Sequence, residues 1–157
     1  MPPPPPISLI VRVQPEPFDT GAEIAALLQG RTDIGGIGSF IGTVRGEAKG
    51  RPIRAMTLEH YPGMTEAALR SIATTAASRF PLLGCTLIHR IGRLLPGDPI
   101  VLVLAASPHR RAALDATAFL IDWLKSEAPF WKQEEFLDGK STWVEAYESD
   151  TEAKSRW

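Results

Sequence analysis

A single α+β domain is the fold this sequence predicts, with about three helices packed on a mostly antiparallel or mixed sheet and short strands near its C-terminal end. Three observations carry that expectation. The chain has 157 residues, the length of one ordinary domain. Hydrophobic residues make up 44% and charged residues 22%, the balance of a globular protein with a substantial core. The helical and strand patterns run β-α-β-β-α-β-β-α-β-β, so helices do not follow every strand as they would in a parallel doubly wound sheet.

Ser8–Val13 (SLIVRV) alternates and is rich in β-branched residues, which fits a strand. Pro15 and Pro17 end it. Asp19 or Thr20 caps a short helix to Leu28, whose apolar face is Ile24, Leu27 and Leu28. Ile34–Val44 (IGGIGSFIGTV) reads as a long strand. Glycine weakens a strand interior, so Gly35, Gly36, Gly38 and Gly42 point to a bulge, or to close approach of another backbone or a ligand. Residues 45–52 (RGEAKGRP) read as a polar, mobile loop, and Ile53–His60 as the next strand. Pro62 and Gly63 turn the chain into a helix over Met64–Phe80, with Leu69, Ile72, Ala73, Ala76 and Phe80 at helical spacing.

Cys85–Leu94 reads as a strand, followed by the turn Pro96–Gly97–Asp98. Ile100–Ala106 lacks alternation, so it is expected to be a strand buried on both faces. Ser107 as N-cap and Pro108 in the first turn open a helix that runs to about Ala128, where Pro129 stops it. Phe130–Phe136 and Trp143–Tyr147 read as short terminal strands, and the remainder as a polar tail able to form a helix. The chain thus divides into a disordered Pro-rich lead at 1–7, one domain at 8–148 and a tail at 149–157.

The composition removes several classes of function. Formal net charge is −1, from 17 Lys and Arg against 18 Asp and Glu. A nucleic-acid binder shows a strong basic excess, so no nucleic-acid partner is expected and any anion must be held by local clustering. The single cysteine, Cys85, excludes an internal disulfide and a Cys-rich metal site. It shares a strand face with Leu87 and reads as buried and inert rather than as a sulfur carrier. A reducing, cytoplasmic setting is expected. No apolar run approaches the ~18–20 residues that span a bilayer, so no membrane association is expected. The start MPPPPPISLIVRV lacks the segments of a signal peptide. Pro2–Pro6 read as an extended, frayed lead, with recognition by a proline-binding partner as the alternative. The motifs GxxxxGK[ST], GxGxxG and GxSxG are absent, and His60, His89 and His109 lack metal-ligand spacing. No metal and no cofactor are expected.

Chemistry concentrates on the last long helix. Leu114, Ala118 and Ile121 form an apolar stripe, and Lys125 continues it one turn further. Two readings fit such a lysine. It snorkels at the helix end, where a cation favours the dipole, or it is partly desolvated with its amine available as nucleophile or base. Lys132 follows beyond the stiff turn Pro129–Phe130–Trp131, which can bring both amines to one pocket. At the other end His109, Arg110 and Arg111 crowd a helix N-terminus, which is poor for helix stability and good for holding phosphate or carboxylate, unless they form only a solvated basic turn. Arg45, after the glycine strand, is a fourth cation. On a straight helix Arg110 and Lys125 stand roughly 22 Å apart. A two-fold dimer in which His109 and Arg110 of one chain complete the lysine site of the other is therefore expected.

Seven ordered segments, Phe40–Arg45 (FIGTVR), Leu58–Tyr61 (LEHY), His89–Gly92 (HRIG), Ser107–Arg110 (SPHR), Asp122–Lys125 (DWLK), Ala128–Lys132 (APFWK) and Trp143–Glu145 (WVE), resemble the molybdopterin synthase large-subunit family. The resemblance runs from about Val11 to Trp157. It implies an α/β hammerhead-like fold and transfer of two sulfur atoms to cyclic pyranopterin monophosphate, giving the molybdopterin dithiolene. It implies as sulfur donor a small ubiquitin-like subunit whose C-terminal Gly-Gly is a thiocarboxylate and whose tail threads into a pocket here. It also implies a homodimer of large subunits with a small subunit at each end, a heterotetramer. By motif position Lys125 and Lys132 are the catalytic residues, and Thr43, Val44, Arg45, His109 and Arg110 bind substrate, with Gln133 and Glu134 in the same segment. The glycine strand is expected to admit the partner's tail. Two departures stand out: the polyproline start, and Lys140 where a basic group nearer Trp143 belongs. A non-catalytic binding homologue is the alternative, and its mark would be loss of Lys125 or Lys132. Both are present.

Overall fold

The computed structural model describes residues 6–144 and 148–157. Among these, nine strands and four helices follow in order. They begin with β1 (Ser8–Gln14), α1 (Thr20–Leu28), β2 (Gly36–Thr43), β3 (Glu47–Ala48) and β4 (Arg51–His60). Next come α2 (Met64–Arg79), β5 (Gly84–Arg90), β6 (Gly92–Leu94) and β7 (Pro99–Ser107). The chain closes with α3 (Arg110–Glu127), β8 (Phe130–Phe136), β9 (Ser141–Val144) and α4 (Glu148–Ser155). The α+β expectation holds, but the strands form two sheets rather than one. The first has the order β1-β5-β7-β2, and the second is β3-β4-β8-β9 with β6 also on β4. Only the β1–β5 pairing is parallel; every other ladder is antiparallel.

Burial explains the layering. In β7 every residue from Val101 to Ala106 is fully buried, as the missing alternation predicts. One face of the first sheet (Cys85, Leu87, Val101, Val103, Ala105) packs under α2 and α3 through Leu69, Ile72, Phe119, Leu120 and Leu124. The other face (Ile88, Leu102, Leu104) packs with Leu27 of α1. Asp19 caps α1, accepting from the Ala22 amide at 3.0 Å. A smaller core of Val44, Met56, Leu58, Leu94 and Ile100 fills the seam between the sheets.

Gly38 of β2, and Gly35 just before it, make room for α3 and the residues that lead into it. A Cβ on Gly38 would lie 2.4 Å from the Ala113 carbonyl oxygen and 2.3 Å from Thr117 Oγ1, and one on Gly35 only 1.9 Å from the Pro108 oxygen. The close approach of another backbone expected of this strand is met at Gly38 by α3; a bulge also occurs, between Gly42 and Thr43. Because α3 presses this close, it turns the small residues Ala113, Ala116 and Thr117 inward beside Leu120 and Leu124. The stripe expected to face the core is split: Leu114 is 58% exposed and Ala118 is exposed, whereas Ile121 is half-buried against the main core.

Other boundaries move for local reasons. The strand expected over Cys85–Leu94 breaks after Arg90, and Gly92, at φ 87°, sends the chain into the second sheet. Within the segment 45–52 expected as a loop, residues 47–52 form the β3–β4 hairpin, whose turn residues Lys49 (φ 50°) and Gly50 (φ 79°) fit a tight two-residue connection. Ser107 does not cap α3. It remains paired to Gly36 in β7 and its hydroxyl donates to the Pro81 carbonyl at 2.9 Å, leaving His109 as N-cap. The strand expected over Ile34–Val44 shortens to β2. The last strand is β9; Glu145–Tyr147 lie outside the described residues, as do Pro2–Pro5 of the lead. The tail is helical, and Trp157 folds back onto the domain surface beside Phe80 and Phe119: its indole N–H donates to Asp122 at 2.8 Å and its carbonyl accepts from Arg79 at 2.8 Å.

Gly38→Ala is expected to destabilise the fold by about 1–3 kcal/mol through overpacking against the helix backbone. Gly46→Ala, where a Cβ meets nothing within 4 Å, should stay within about 0.5 kcal/mol. Urea midpoints of the two variants decide the point, and equal midpoints would refute it.

Candidate active site

Strand parity builds the site. In β8, Phe130, Lys132 and Glu134 stand opposite His60, Leu58 and Met56 of β4, so all six side chains share one face of the second sheet. That face looks onto the seam between the sheets. There a cavity of about 210 Å³ is lined by Thr43, Arg45 and Glu47 from the end of β2 and the hairpin, and by Ile53 and Met56 from β4. Ile100 of β7, Lys125 of α3 and Lys132 and Glu134 of β8 complete the wall. Three cations thus meet two carboxylates around an apolar floor. Glu134 is 5% exposed, and its Oε2 has no hydrogen-bond partner among the described residues. Lys132 is half-buried, whereas Lys125, at the last turn of α3, is exposed in the single chain. Of the two readings of Lys125, its exposure in the single chain agrees with a side chain extended from the helix end.

Of the residues singled out from sequence, the cavity collects Thr43, Arg45, Lys125, Lys132 and Glu134. Val44 lies beside it with its side chain in the seam core, 2% exposed, and with its N–H and carbonyl bonded to Asp98 and Gly97. Gln133 falls on the opposite face of β8, paired with Trp143. His109 and Arg110 are exposed at the far end of the continuous helix α3, roughly 22 Å from Lys125 by helical rise. Sequence reasoning missed Glu47, Ile53, Met56 and Ile100. The available signal for Met56 was pairing: alternation along 53–60 and 130–136 fixes which residues share a face once the two strands are paired, whereas Ile53 lies beyond a register shift between Ile53 and Ala55 that alternation does not reveal.

A further missed residue is His89, 3% exposed at the end of β5. Its ring stacks on Phe130 with centroids 3.8 Å apart, and its Nδ1 lies 2.8 Å from the Arg90 carbonyl. Burial pushes its pKa down to about 3, helped by the charge of Lys125, so the imidazole is neutral. Burial also pushes the Cys85 thiol up to about 12, which fits its expected inertness. Among the described residues no cluster of His, Cys, Asp and Glu is arranged to hold a metal, and no helix is long and apolar enough to cross a membrane.

The model of the MoaE protein family matches residues 13–127. A molybdopterin synthase catalytic subunit from Mesorhizobium japonicum is 55% identical over 148 residues, covering 94% of this chain and 92% of the relative. Among solved structures, the molybdopterin biosynthesis MoaE protein from Burkholderia ambifaria superposes with a TM-score of 0.81 at 46% identity, covering 95% of this chain and 97% of that one. Molybdopterin synthase from Staphylococcus aureus gives a TM-score of 0.77 at 29% identity, covering 88% and 96%.

The depressed His89 pKa makes a pH prediction. Between about 6.5 and about 3 the unfolded chain binds a proton at this site that the folded chain refuses. Stability should therefore fall as pH drops through that window, by up to about 1.4 kcal/mol per unit from this group. Urea unfolding at pH 7 and pH 5 should show a smaller loss for His89→Phe than for the wild type; equal losses would contradict the assignment.

Proposed function

The chain belongs to the MoaE family, and from that premise we propose that it is the catalytic subunit of molybdopterin synthase, a sulfurtransferase that moves two sulfur atoms onto cyclic pyranopterin monophosphate to form the dithiolene. The donor is the C-terminal Gly-Gly thiocarboxylate of a small ubiquitin-like subunit. The observation that carries the reading is the convergence of Lys125, Lys132 and Arg45, from three separate elements, on one cavity. Phosphate and thiocarboxylate are both anions, and a cationic pocket with an apolar floor suits them.

Lys125 is the amine that acts at the pterin side-chain carbons. Lys132 holds the thiocarboxylate. Arg45, with His109 and Arg110, binds the phosphate and stabilises the oxyanion formed as the thiocarboxylate is attacked. A cavity of about 210 Å³ is small for a ligand site, which supports a site finished by other chains. The separation along α3 supports a two-fold dimer that brings His109 and Arg110 across to the partner's lysines. Apolar surface available for that contact includes Leu114 and, on the edge strand β2, Phe40 (38% exposed) and Ile41 (44%). With one small subunit at each end the assembly is a heterotetramer. The free thiol of Cys85 fits a cytoplasmic setting.

Purified chain mixed with thiocarboxylated small subunit and precursor should yield the dithiolene, and Lys125→Ala should lose it by at least about a hundredfold. A stable complex without product would favour the non-catalytic homologue instead. Sharing of the site across the dimer has its own signature. Lys125→Ala and Arg110→Ala chains, each weak alone, should regain about a quarter of wild-type activity when mixed, because half the dimers then hold one intact site. A mixture no more active than its parents would place both groups in one subunit's site.

A further inference from the structure

We propose that His89 is a positioning residue of this site, whose unprotonated Nε2 offers the Lys125 and Lys132 amines a neutral hydrogen-bond acceptor. The inference rests on the sulfur-transfer reading above and adds a residue to it.

The position of His89 is that of a core residue. It sits in β5 between Val13 of β1 and Val101 of β7, in a strand buried along its whole length. A polar ring there carries a desolvation cost that an aliphatic side chain would not. Its two ring nitrogens have different tasks. The Arg90 carbonyl can only accept, so Nδ1, 2.8 Å away, carries the proton of the neutral ring, and Nε2 keeps a lone pair.

The stack ties the ring to the lysines. Phe130 opens β8, two residues before Lys132 and three after the end of the helix that carries Lys125. By resting on Phe130, the imidazole braces the turn that joins the two amines. Burial first, and then the charges of Lys125 from α3 and Lys132 from β8, keep it neutral; the His60 ring of β4 also faces it. A neutral acceptor is what the chemistry requires at this place. Glu47 and Glu134 already offset part of the cationic charge of the cavity; a third carboxylate here would offset more of it, and an imidazolium would repel the lysines. A lone pair fixes the direction of one N–H and leaves the amine's charge for the anions.

Three variants in the complete enzyme separate the possible roles. His89→Phe keeps the stack, His89→Asn keeps a donor near Nδ1, and His89→Gln puts an amide where Nε2 was. Activity with the thiocarboxylated small subunit should stay within about threefold for Gln, while kcat falls about tenfold or more for Phe and Asn. KM for the precursor and affinity for the small subunit should not change. A Phe variant as active as wild type, Asn rescuing as well as Gln, or a loss seen only in KM would each overturn the proposal. The nitrogen chemical shifts of His89 in the ¹⁵N-labelled wild type need neither turnover nor a folded variant: Nδ1 should carry the proton, and a protonated Nε2 overturns the idea. An inactive wild type with this tautomer intact would instead refute the sulfur-transfer reading.

Discussion

The distance between α3 and β2 is set by side chains that are not there. Gly35 and Gly38 let the backbone of the helix start and of its first turns rest against the strand, where any Cβ would meet a carbonyl oxygen. Once that contact is made, the 18-residue helix is fixed along its length. One end then presents His109, Arg110 and Arg111 to solvent, and the other delivers Lys125 to the cavity. A helix lifted off the sheet by one methyl layer would shift Lys125 relative to Lys132, which is held by a different sheet.

The cavity exists because two sheets meet. Gly92 carries the chain from the first sheet to the second, and β4 receives β6 on one side and β8 on the other. Ile100 and Met56 reach the cavity from opposite sheets while also closing the seam core with Val44, Leu58 and Leu94. Apolar packing thus lies directly under the polar groups. His89 performs a similar joining role one layer deeper, between the end of β5 and the start of β8.

Much of this was legible in the residues. The buried character of 100–106, the helix over 64–79, the Asp19 cap and the pairing of Lys125 with Lys132 beyond Pro129 all follow from local pattern. What stayed hidden depends on contacts between distant segments. The 85–94 run keeps strand composition throughout, so nothing local marks the change of sheet except Gly92. Leu114 and Ala118 have core chemistry but lose the inward face to Ala113 and Thr117, because the glycines opposite favour small residues at the contact. Val44 and Thr43 are neighbours in sequence, yet one fills the core and the other lines the cavity. Motif proximity alone does not separate them.

The interval between Ala128 and Lys132 is a matter of counting. A strand alternates faces with every residue, so adding or removing a single residue there would reverse the parity of all that follows. Phe130, Lys132 and Glu134 would turn away from the seam, and Trp131, Gln133 and Glu135 would take their places. The composition of the segment would be almost unchanged, yet both the stack on His89 and the second amine would be lost together. The hairpin tip at Lys49–Gly50, open to solvent, carries no such arithmetic. In this fold, a change of chain length would cost most over that stretch of five residues and least where the backbone merely turns.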